Sequence, residues 1–375
     1  PAATGYSDEM AALVLDRMAA DWRAERLREL LASELGDPAV LDGFAPTGRR
    51  RSRAYGPRLA FHVFAGNVPG VAVTSLIRSL LVKAPVLGKL ASGQPVLPVL
   101  FAEALASVDP AIADALAVTY WTGGDPDTEW RVLQAADLVV VYGGDDAVAS
   151  YRERIPPNHR LVVHGPRFSV GLIASDALRG ELHGLAREVA LAVATFDQHG
   201  CVSPHALWVE DPDGTVTPAF ARALADALQH VETELPRGRI SPVEASTIQQ
   251  ERGAAEMRGH AAGGVRVIAG EGTSWTVVLD AEPVFRPSCL NRFVHVHPVD
   301  DLDQALDFLA PAGHRLQSVA LAGGRSRRAR LAHRLAHAGA TRVTTFPRLP
   351  WPDPDWHHDG RGPLVELLRW VDLEP

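Results

Sequence analysis

The stretch "LAFHVFAGNVPGVAVTSLIRSLLVKAPVLGKLAS", residues 59–92, decides the fold. It opens on a short apolar run and breaks at Gly66-Asn67 and Pro69-Gly70. Apolar residues then recur at helical spacing, and a second short apolar run follows before the polar Ser92. Strand, turn, helix and strand in so few residues make a βαβ unit, whose two strands lie parallel because a helix carries the chain back. The rhythm continues outward. "PVLPVLFAEALASV" (95–108) is a helix, "ALAVTYWTGGD" (115–125) a strand and turn, "DTEWRVLQAA" (127–136) a helix, "DLVVVYGG" (137–144) a strand ending in glycines, and "RLVVHGPRFSVGLIAS" (160–175) strands again. Such alternation predicts an α/β fold with mostly parallel sheets covered on both faces and ligands at the carboxyl ends of the strands.

A second α/β run follows: a helix over "LHGLAREVALAVATFDQHG" (182–200), a strand at "HALWVE" (205–210) and a periodic helix at "PAFARALADALQHVETEL" (218–235). Strands are predicted at "VRVIAG" (265–270), "SWTVVLD" (274–280), "RFVHVHPV" (292–299) and "SVALAG" (318–323), and helices at 300–310 and from 326 onward. Residues 8–34 carry Met10, Leu13, Val14, Met18, Trp22, Leu27, Leu30 and Leu31 on amphipathic helices. "APTGRRRSRAYGP" (45–57) reads as a loop whose arginines face water, with phosphate binding as the other option, and the closing 349–375 as a Pro/Trp/His-rich loop followed by a short helix or strand. The expected organisation is N-terminal helices and a strand at 1–59, a first α/β domain at 60–195, a second, bearing Cys201, at 196–345 and a tail at 346–375.

Composition narrows the function. The 375 residues are 46% hydrophobic and 22% charged, with 32 glycines, as in a globular α/β enzyme, and the net charge of −8 argues against nucleic acid or an anionic membrane as the main partner. Two cysteines make no disulfide framework and no thiolate zinc site, so a cytoplasmic setting is expected. No apolar run reaches the roughly 18 to 20 residues needed to span a bilayer. The chain opens on Pro1, which fits either a removed initiator Met or a piece of a longer protein.

One of the two cysteines sits in "ATFDQHGCVSPHAL" (194–207), between a glycine and a small polar run. A turn there can present the sulfur of Cys201 to a pocket, although a free cysteine more commonly just packs. Cys289, in "FRPSCLNRF", has no such turn. The 15 histidines are scattered, and "WHHDG" (356–360) lacks the spacing of a helical metal pair, so no metal is expected and His357 and His358 read as hydrogen-bonding loop residues. There is no G-x-S-x-G elbow, and "AGNVPG" is not the G-x-G-x-x-G dinucleotide fingerprint.

Taken together, "FAGNVPG" (64–70), "VLGKLAS" (86–92), "VVYGGDD" (140–146), "HGPRFSVG" (164–171), "DQHGCVSPH" (197–205) and "WHHDGRGPLVELLRWVDLE" (356–374) resemble the acyl-CoA reductase family typified by the reductase subunit of the bacterial luminescence fatty-acid reductase complex. That family looks like a shortened branch of the aldehyde dehydrogenase superfamily. The resemblance implies two α/β domains, one Rossmann-like and one catalytic, with a short strand or tail element for oligomerisation. It also implies NADPH-dependent reduction of an acyl thioester, on CoA or a carrier protein, to an aldehyde through an acyl-cysteine. An acyltransferase or thioesterase using the same cysteine without redox chemistry is the alternative, and a non-enzymatic partner subunit a further one.

Residue by residue, the resemblance puts Cys201 in the nucleophile position and Asn67 in that of the asparagine whose amide helps form the oxyanion hole, a role a plain turn residue would not have. Lys89 matches a ribose-contacting lysine. Ser92 stands where NAD-preferring relatives carry a glutamate, which favours NADPH over NADH because a 2′-phosphate meets no repulsion. Gly143 and Gly144 match the glycine turn that approaches the pyrophosphate, and Phe285 the aromatic residue packed on the nicotinamide. Pro283 stands where a ribose-binding glutamate would align, with Glu282 one place earlier. The stretch Leu161–Pro166 has no carboxylate where oxidising relatives carry their water-activating glutamate; His164 there reads as structural first and a base second. By analogy, "AYGPRLAFHVFA" (54–65) and "LLRWVDLE" (367–374) belong to segments that pair between subunits, implying a homodimer, with a partner enzyme able to take the aldehyde.

Overall fold

The computed structural model describes residues 4–93, 95–123 and 125–374. The chain forms two compact units, one built from the residues up to Leu13 with Arg167–Pro352, the other from Val14–Pro166 with the segment from Asp353 on. They are called here the Cys201 unit and the Asn67 unit. The boundary between them inside the N-terminal segment falls within helix α1 (Asp8–Asp21).

The Asn67 unit begins with α2 (Ala24–Leu35) and an antiparallel hairpin, β1 (Ala45–Thr47) and β2 (Arg50–Tyr55). The loop expected at 45–57 is therefore a correction: "TGRR" closes a two-residue turn with Gly48 at φ 61°, the position a II′ hairpin turn gives to glycine. Next come β3 (Ala60–Val63), α3 (Val71–Leu81), β4 (Val86–Lys89), α4 (Val96–Val108), α5 (Pro110–Ala113), β5 (Leu116–Thr119), α6 (Pro126–Ala135), β6 (Leu138–Tyr142), α7 (Asp145–Arg154) and β7 (Arg160–His164). These five strands form one parallel sheet in the order β5-β4-β3-β6-β7. β3 is buried along its whole length and β6 nearly so, which is why β6 reads as an unbroken apolar run and β3 as one interrupted only by His62.

The Cys201 unit holds β8 (Phe168–Ile173), α8 (Ser175–Ala194), β9 (Pro204–Glu210), α9 (Thr217–Glu234), α10 (Pro242–Ala262), β10 (Val265–Ala269), β11 (Thr276–Asp280), β12 (Phe293–Val299), α11 (Leu302–Leu309), β13 (Leu316–Ala322), α12 (Arg325–His337) and β14 (Arg342–Thr344). Its sheet runs β10-β11-β12-β9-β8-β13-β14, parallel except for β10. Along β9, Leu207 and Val209 face a core with α8 and α9, while Ala206 and Trp208 face one with α11 and α12. Because β8 pairs with both β9 and β13, the segment 167–195 packs with the cysteine-bearing sheet rather than with the strands before it, ahead of the 195/196 division expected from sequence.

Helix α10 has no apolar stripe to announce it, and sequence periodicity misses it. Its signal is a capping box: the Ser241 hydroxyl accepts from Glu244 N (3.2 Å), the Glu244 carboxylate accepts from Ser241 N (2.8 Å), and Pro242 takes the first helical position. The tail gives β15 (Arg369–Leu373), which pairs antiparallel with β2 in the same chain to complete a three-stranded sheet β1-β2-β15. The two segments read as inter-subunit partners thus meet within one chain.

His62 sits in the middle of β3, 1% exposed, with its ring nitrogens 2.8 Å and 3.0 Å from the Ser75 and Ser79 hydroxyls of α3. Burial pushes its pKa down to about 3. The folded state keeps this ring neutral where the unfolded chain takes up a proton, so its contribution is complete above pH 6.5 and declines as pH falls toward 3. Urea denaturation between pH 7.5 and 5 should show a loss of about 2 kcal/mol from this histidine, absent in His62→Phe even though that variant is less stable overall.

Candidate active site

Cys201 follows an unusual piece of backbone. After α8 the chain turns through Phe196, Asp197 and Gln198, all with left-handed φ (60°, 48° and 68°), before His199 and Gly200. A second left-handed run, Leu290, Asn291 and Arg292 (φ 67°, 56° and 64°), lies against it. Such residues cost roughly 1 kcal/mol or more each and persist only where surrounding contacts hold them.

Those contacts are charged and almost dry. Arg292, wholly buried, donates from Nε and Nη2 to Asp197 Oδ1 (3.0 and 2.7 Å) and from Nη1 to Glu232 Oε2 (2.7 Å). The other Asp197 oxygen accepts from Gly238 N at 3.0 Å, and its carbonyl from Asn291 N at 3.1 Å. Gln198, also wholly buried, donates to the carbonyls of Pro204 and Phe293 and accepts from Phe293 N, each at 2.8 Å. His199 Nε2 lies 3.2 Å from Asn291 Oδ1. The two runs are locked to each other and to the start of β9.

The cysteine is thereby placed in the turn that enters β9. Ser203 N donates to Gly200 O (2.9 Å), and the Cys201 carbonyl accepts the Ser169 hydroxyl of β8 at 2.8 Å. Ser169 Oγ in turn accepts from Ser318 N of β13 at 3.1 Å. Gly200 leaves room for this packing, since a Cβ there would stand 3.0 Å from Phe196 Cδ2 and 3.3 Å from Ser203 Oγ. Cys201 is half-buried. Burial pushes the Cys289 thiol up to about 12, with Glu251 adding to the shift, so that sulfur stays protonated and unreactive at neutral pH. Nearby, His205 accepts from Ser288 N at Nδ1 (3.2 Å), and burial pushes its pKa down to about 4, keeping it neutral.

Phe285, in the same unit, stacks on Phe168 with ring centroids 4.3 Å apart and lies beside Trp208. One of its faces is thus already covered. Glu282 is exposed and tied to Arg286 at 2.7 Å.

In the Asn67 unit, three residue groups named from sequence reach the carboxyl ends of three adjacent strands. Asn67 follows β3, Lys89 ends β4 with Ser92 in the turn beyond, and Gly143 and Gly144 lie between β6 and α7. Strand order reverses between β3 and β6, the place where open parallel sheets bind ligands. Beside the Asn67 loop lies a small apolar hollow of about 10 Å³, lined by Phe64, Ala65, Val68, Leu90, Ala91 and Leu97. Lys89 Nζ stands over the Trp121 ring, 5.4 Å from its centroid. Gly144 caps α7 in extended conformation, but Asp145 and Asp146 fill that helix's first turn and already use its positive end.

His164, at the end of β7, is held on every side. Nδ1 is 2.8 Å from Asp359 Oδ2 and Nε2 3.7 Å from Glu366 Oε1, while its ring stacks between Tyr142 and His358, both centroids 4.5 Å away. His164, His358 and Asp359 bring possible ligand atoms within 4.8 Å of one another. The two imidazoles nevertheless lie face to face at 12°, so their in-plane lone pairs do not converge, and Arg361 sits 3.6 Å from the same Asp359 oxygen. His358 also stacks between His164 and Trp356.

Solved structures place this architecture among the aldehyde dehydrogenases. Aldehyde dehydrogenase 21 from Physcomitrella patens, solved with succinate, matches with a TM-score of 0.69 at 14% identity, covering 100% of this chain and 87% of that one. An NAD-dependent benzaldehyde dehydrogenase from Corynebacterium glutamicum matches at 0.65 and 15% identity, over 98% and 82% of the two chains. The fold is that of an aldehyde dehydrogenase. The model of the acyl-CoA reductase (LuxC) family matches residues 1–370, and the chain belongs to that family of oxidoreductases. Among its relatives, the long-chain acyl-protein thioester reductase of Aliivibrio fischeri is 27% identical over 383 residues, 99% of this chain and 75% of that protein. That of Photorhabdus luminescens is 27% identical over 384 residues, again 99% and 75%. No helix among the described residues is long and apolar enough to cross a membrane.

Arg292→Met leaves Asp197 buried without its guanidinium and should cost about 3–5 kcal/mol in urea denaturation. Arg187→Met, which removes the exposed pair with Glu234 (2.9 Å), should cost about 1 kcal/mol or less.

Proposed function

We propose that this enzyme reduces a long-chain acyl thioester to an aldehyde, with Cys201 carrying the acyl group. The observation that supports it best is the pair of interlocked left-handed turns, an expensive construction placed immediately before Cys201; Cys289, half-buried as well, has no such support, and burial pushes its thiol up to about 12. The relatives named as acyl-protein thioester reductases point to the substrate class.

The thiolate of Cys201 attacks the thioester carbonyl, and the carrier sulfur leaves with the electron pair of the broken C–S bond. Negative charge develops on the carbonyl oxygen, and the Asn67 amide is the side-chain donor assigned to it. One such donor is worth about 2.7–4 kcal/mol. The acyl-enzyme then needs protection from water. The Leu161–Pro166 stretch has no carboxylate, and His164 is engaged by Asp359 and Glu366, so no base from that stretch is left to activate a water.

NADPH, when bound, would supply a hydride to the acyl carbon, and the C–S bond to Cys201 would then break, releasing the aldehyde and returning the thiolate. The residues of the Asn67 unit that would hold a dinucleotide lie at the strand ends beside the reversal of strand order: Lys89 as positive charge, and the uncharged Ser92 where the resemblance puts the 2′-phosphate. The Gly143-Gly144 turn lets backbone approach a pyrophosphate, but Asp145 and Asp146 remove the favourable field, so Lys89 must supply it. Phe285 offers the nicotinamide at most the ring face that Phe168 leaves uncovered. The edge of β15 away from β2 is unpaired among the described residues, which supports a homodimer formed there.

Cys201→Ala should abolish both aldehyde formation and covalent labelling by a radioactive acyl thioester; an Ala variant that still labels and reduces would refute the assignment. Asn67→Ala should slow acylation by roughly 10²-fold or more in single-turnover experiments with the fold intact. Ser92→Glu should raise the KM for NADPH more than tenfold and that for NADH far less. NADPH oxidation that depends on acyl thioester separates reduction from acyl transfer or hydrolysis.

A further inference from the structure

The sheet β1-β2-β15 has two unlike faces. Ser52 and Ala54 of β2 are buried on one of them, and there Asp372 of β15 accepts from the Ser52 hydroxyl (2.7 Å) and pairs with Arg50 (3.1 Å). The other face carries Arg51, Arg53 and Tyr55 from β2 opposite Leu373, Val371 and Arg369 from β15, in register. It reaches solvent, with Arg51, Arg369 and Leu373 exposed and the other three half-buried; the first face is exposed only toward its rim, at Arg50, Trp370 and Asp372.

Three guanidiniums therefore share one small face without an acid among those six residues. Arg53 and Arg369 both stand over the Tyr55 ring, 4.6 and 5.1 Å from its centroid. Among the described residues, Arg51, Arg53 and Arg369 pair with no carboxylate; Arg51 donates to the Phe44 carbonyl, and Arg53 Nε is buried with no hydrogen-bond partner. Like charges side by side and across a strand pair repel, so this arrangement weakens the sheet that carries it. It also stands out on a chain whose net charge is −8.

A solvated surface needs no such clustering, and a small anion needs a concave site rather than a flat strand face. Arginine and tyrosine interleaved with Val371 and Leu373 is the composition of a protein-binding surface, and the uncompensated charge selects an acidic partner. We propose that the outward face of β2 and β15 is the docking surface for an acidic protein that bears the acyl thioester. This rests on the thioester-reductase reading above and names the carrier's landing site.

The test uses the full chain and its triple charge-reversal variant, R51E/R53E/R369E, with R51Q/R53Q/R369Q as the milder control for folding. Two donors are compared, the hexadecanoyl thioester of an acidic acyl carrier protein and hexadecanoyl-CoA, and binding of the fluorescently labelled carrier protein is measured separately. The expected result is a tenfold or greater loss of kcat/KM for the carrier-bound donor, expressed in KM, with CoA kinetics within twofold of wild type. Carrier binding should weaken to match and should fall with added salt in the wild type far more than in the variant. Unchanged carrier kinetics and binding in a folded variant overturn the proposal, as does an equal loss with both donors. A change from dimer to monomer with carrier binding intact assigns the face to a second copy and overturns it too. If the wild type reduces acyl-CoA yet binds no carrier, the docking face is wrong and the reductase reading stands; if it binds carrier through these arginines yet reduces neither donor, the reverse holds.

Discussion

The ion pair between Asp197 and Arg292 is the constraint on which the backbone before Cys201 depends. Neither left-handed run is favourable by itself, and a buried guanidinium or carboxylate alone would be worse. Together each satisfies the other: Arg292 bridges Asp197 and Glu232, Asp197 takes a further N–H from Gly238, and Gln198 saturates the backbone around Pro204 and Phe293. The backbone before Cys201 is fixed by groups from α9, from the 290–292 turn and from the loop after α9. No single neighbour holds this turn, which keeps its shape only with all of them in place.

In the Asn67 unit the organising feature is the parallel sheet whose strand order reverses between β3 and β6. That reversal gathers the ends of β3, β4 and β6, and with them Asn67, Lys89, Ser92 and the Gly143-Gly144 turn. Electrostatics there is less generous than the glycine turn implies, because Asp145 and Asp146 occupy the start of α7. At the end of β7, two carboxylates and two stacked rings immobilise His164. The fold is shared with aldehyde dehydrogenases, and Leu161–Pro166 carries no carboxylate.

Much of the architecture was legible in the sequence because it is encoded locally. Apolar runs such as "DLVVVYGG" and helical spacing such as that of residues 218–235 match β6 and α9 closely, and the glycine beside Cys201 marks a real turn. Where local pattern was weak, reading failed. Helix α10 lacks an apolar stripe and is defined by its capping box, and the arginine-rich 45–57 segment, polar enough to read as a loop, pairs as a hairpin and then with β15.

Local sequence specified the α/β class and most of the strands and helices, since periodicity and turn residues are properties of neighbouring positions, while Cys201, Asn67 and Lys89 stood out through motifs that resemble those of a known family. Only the tertiary structure decided that residues 167–195 join the cysteine-bearing sheet, that Asp197 finds Arg292 across 95 positions, that Asp359 and Glu366 take up His164, and that three arginines share a face. Each of these depends on strand register or on the meeting of distant side chains, and the burial that gives such meetings their energy exists only once the chain has folded.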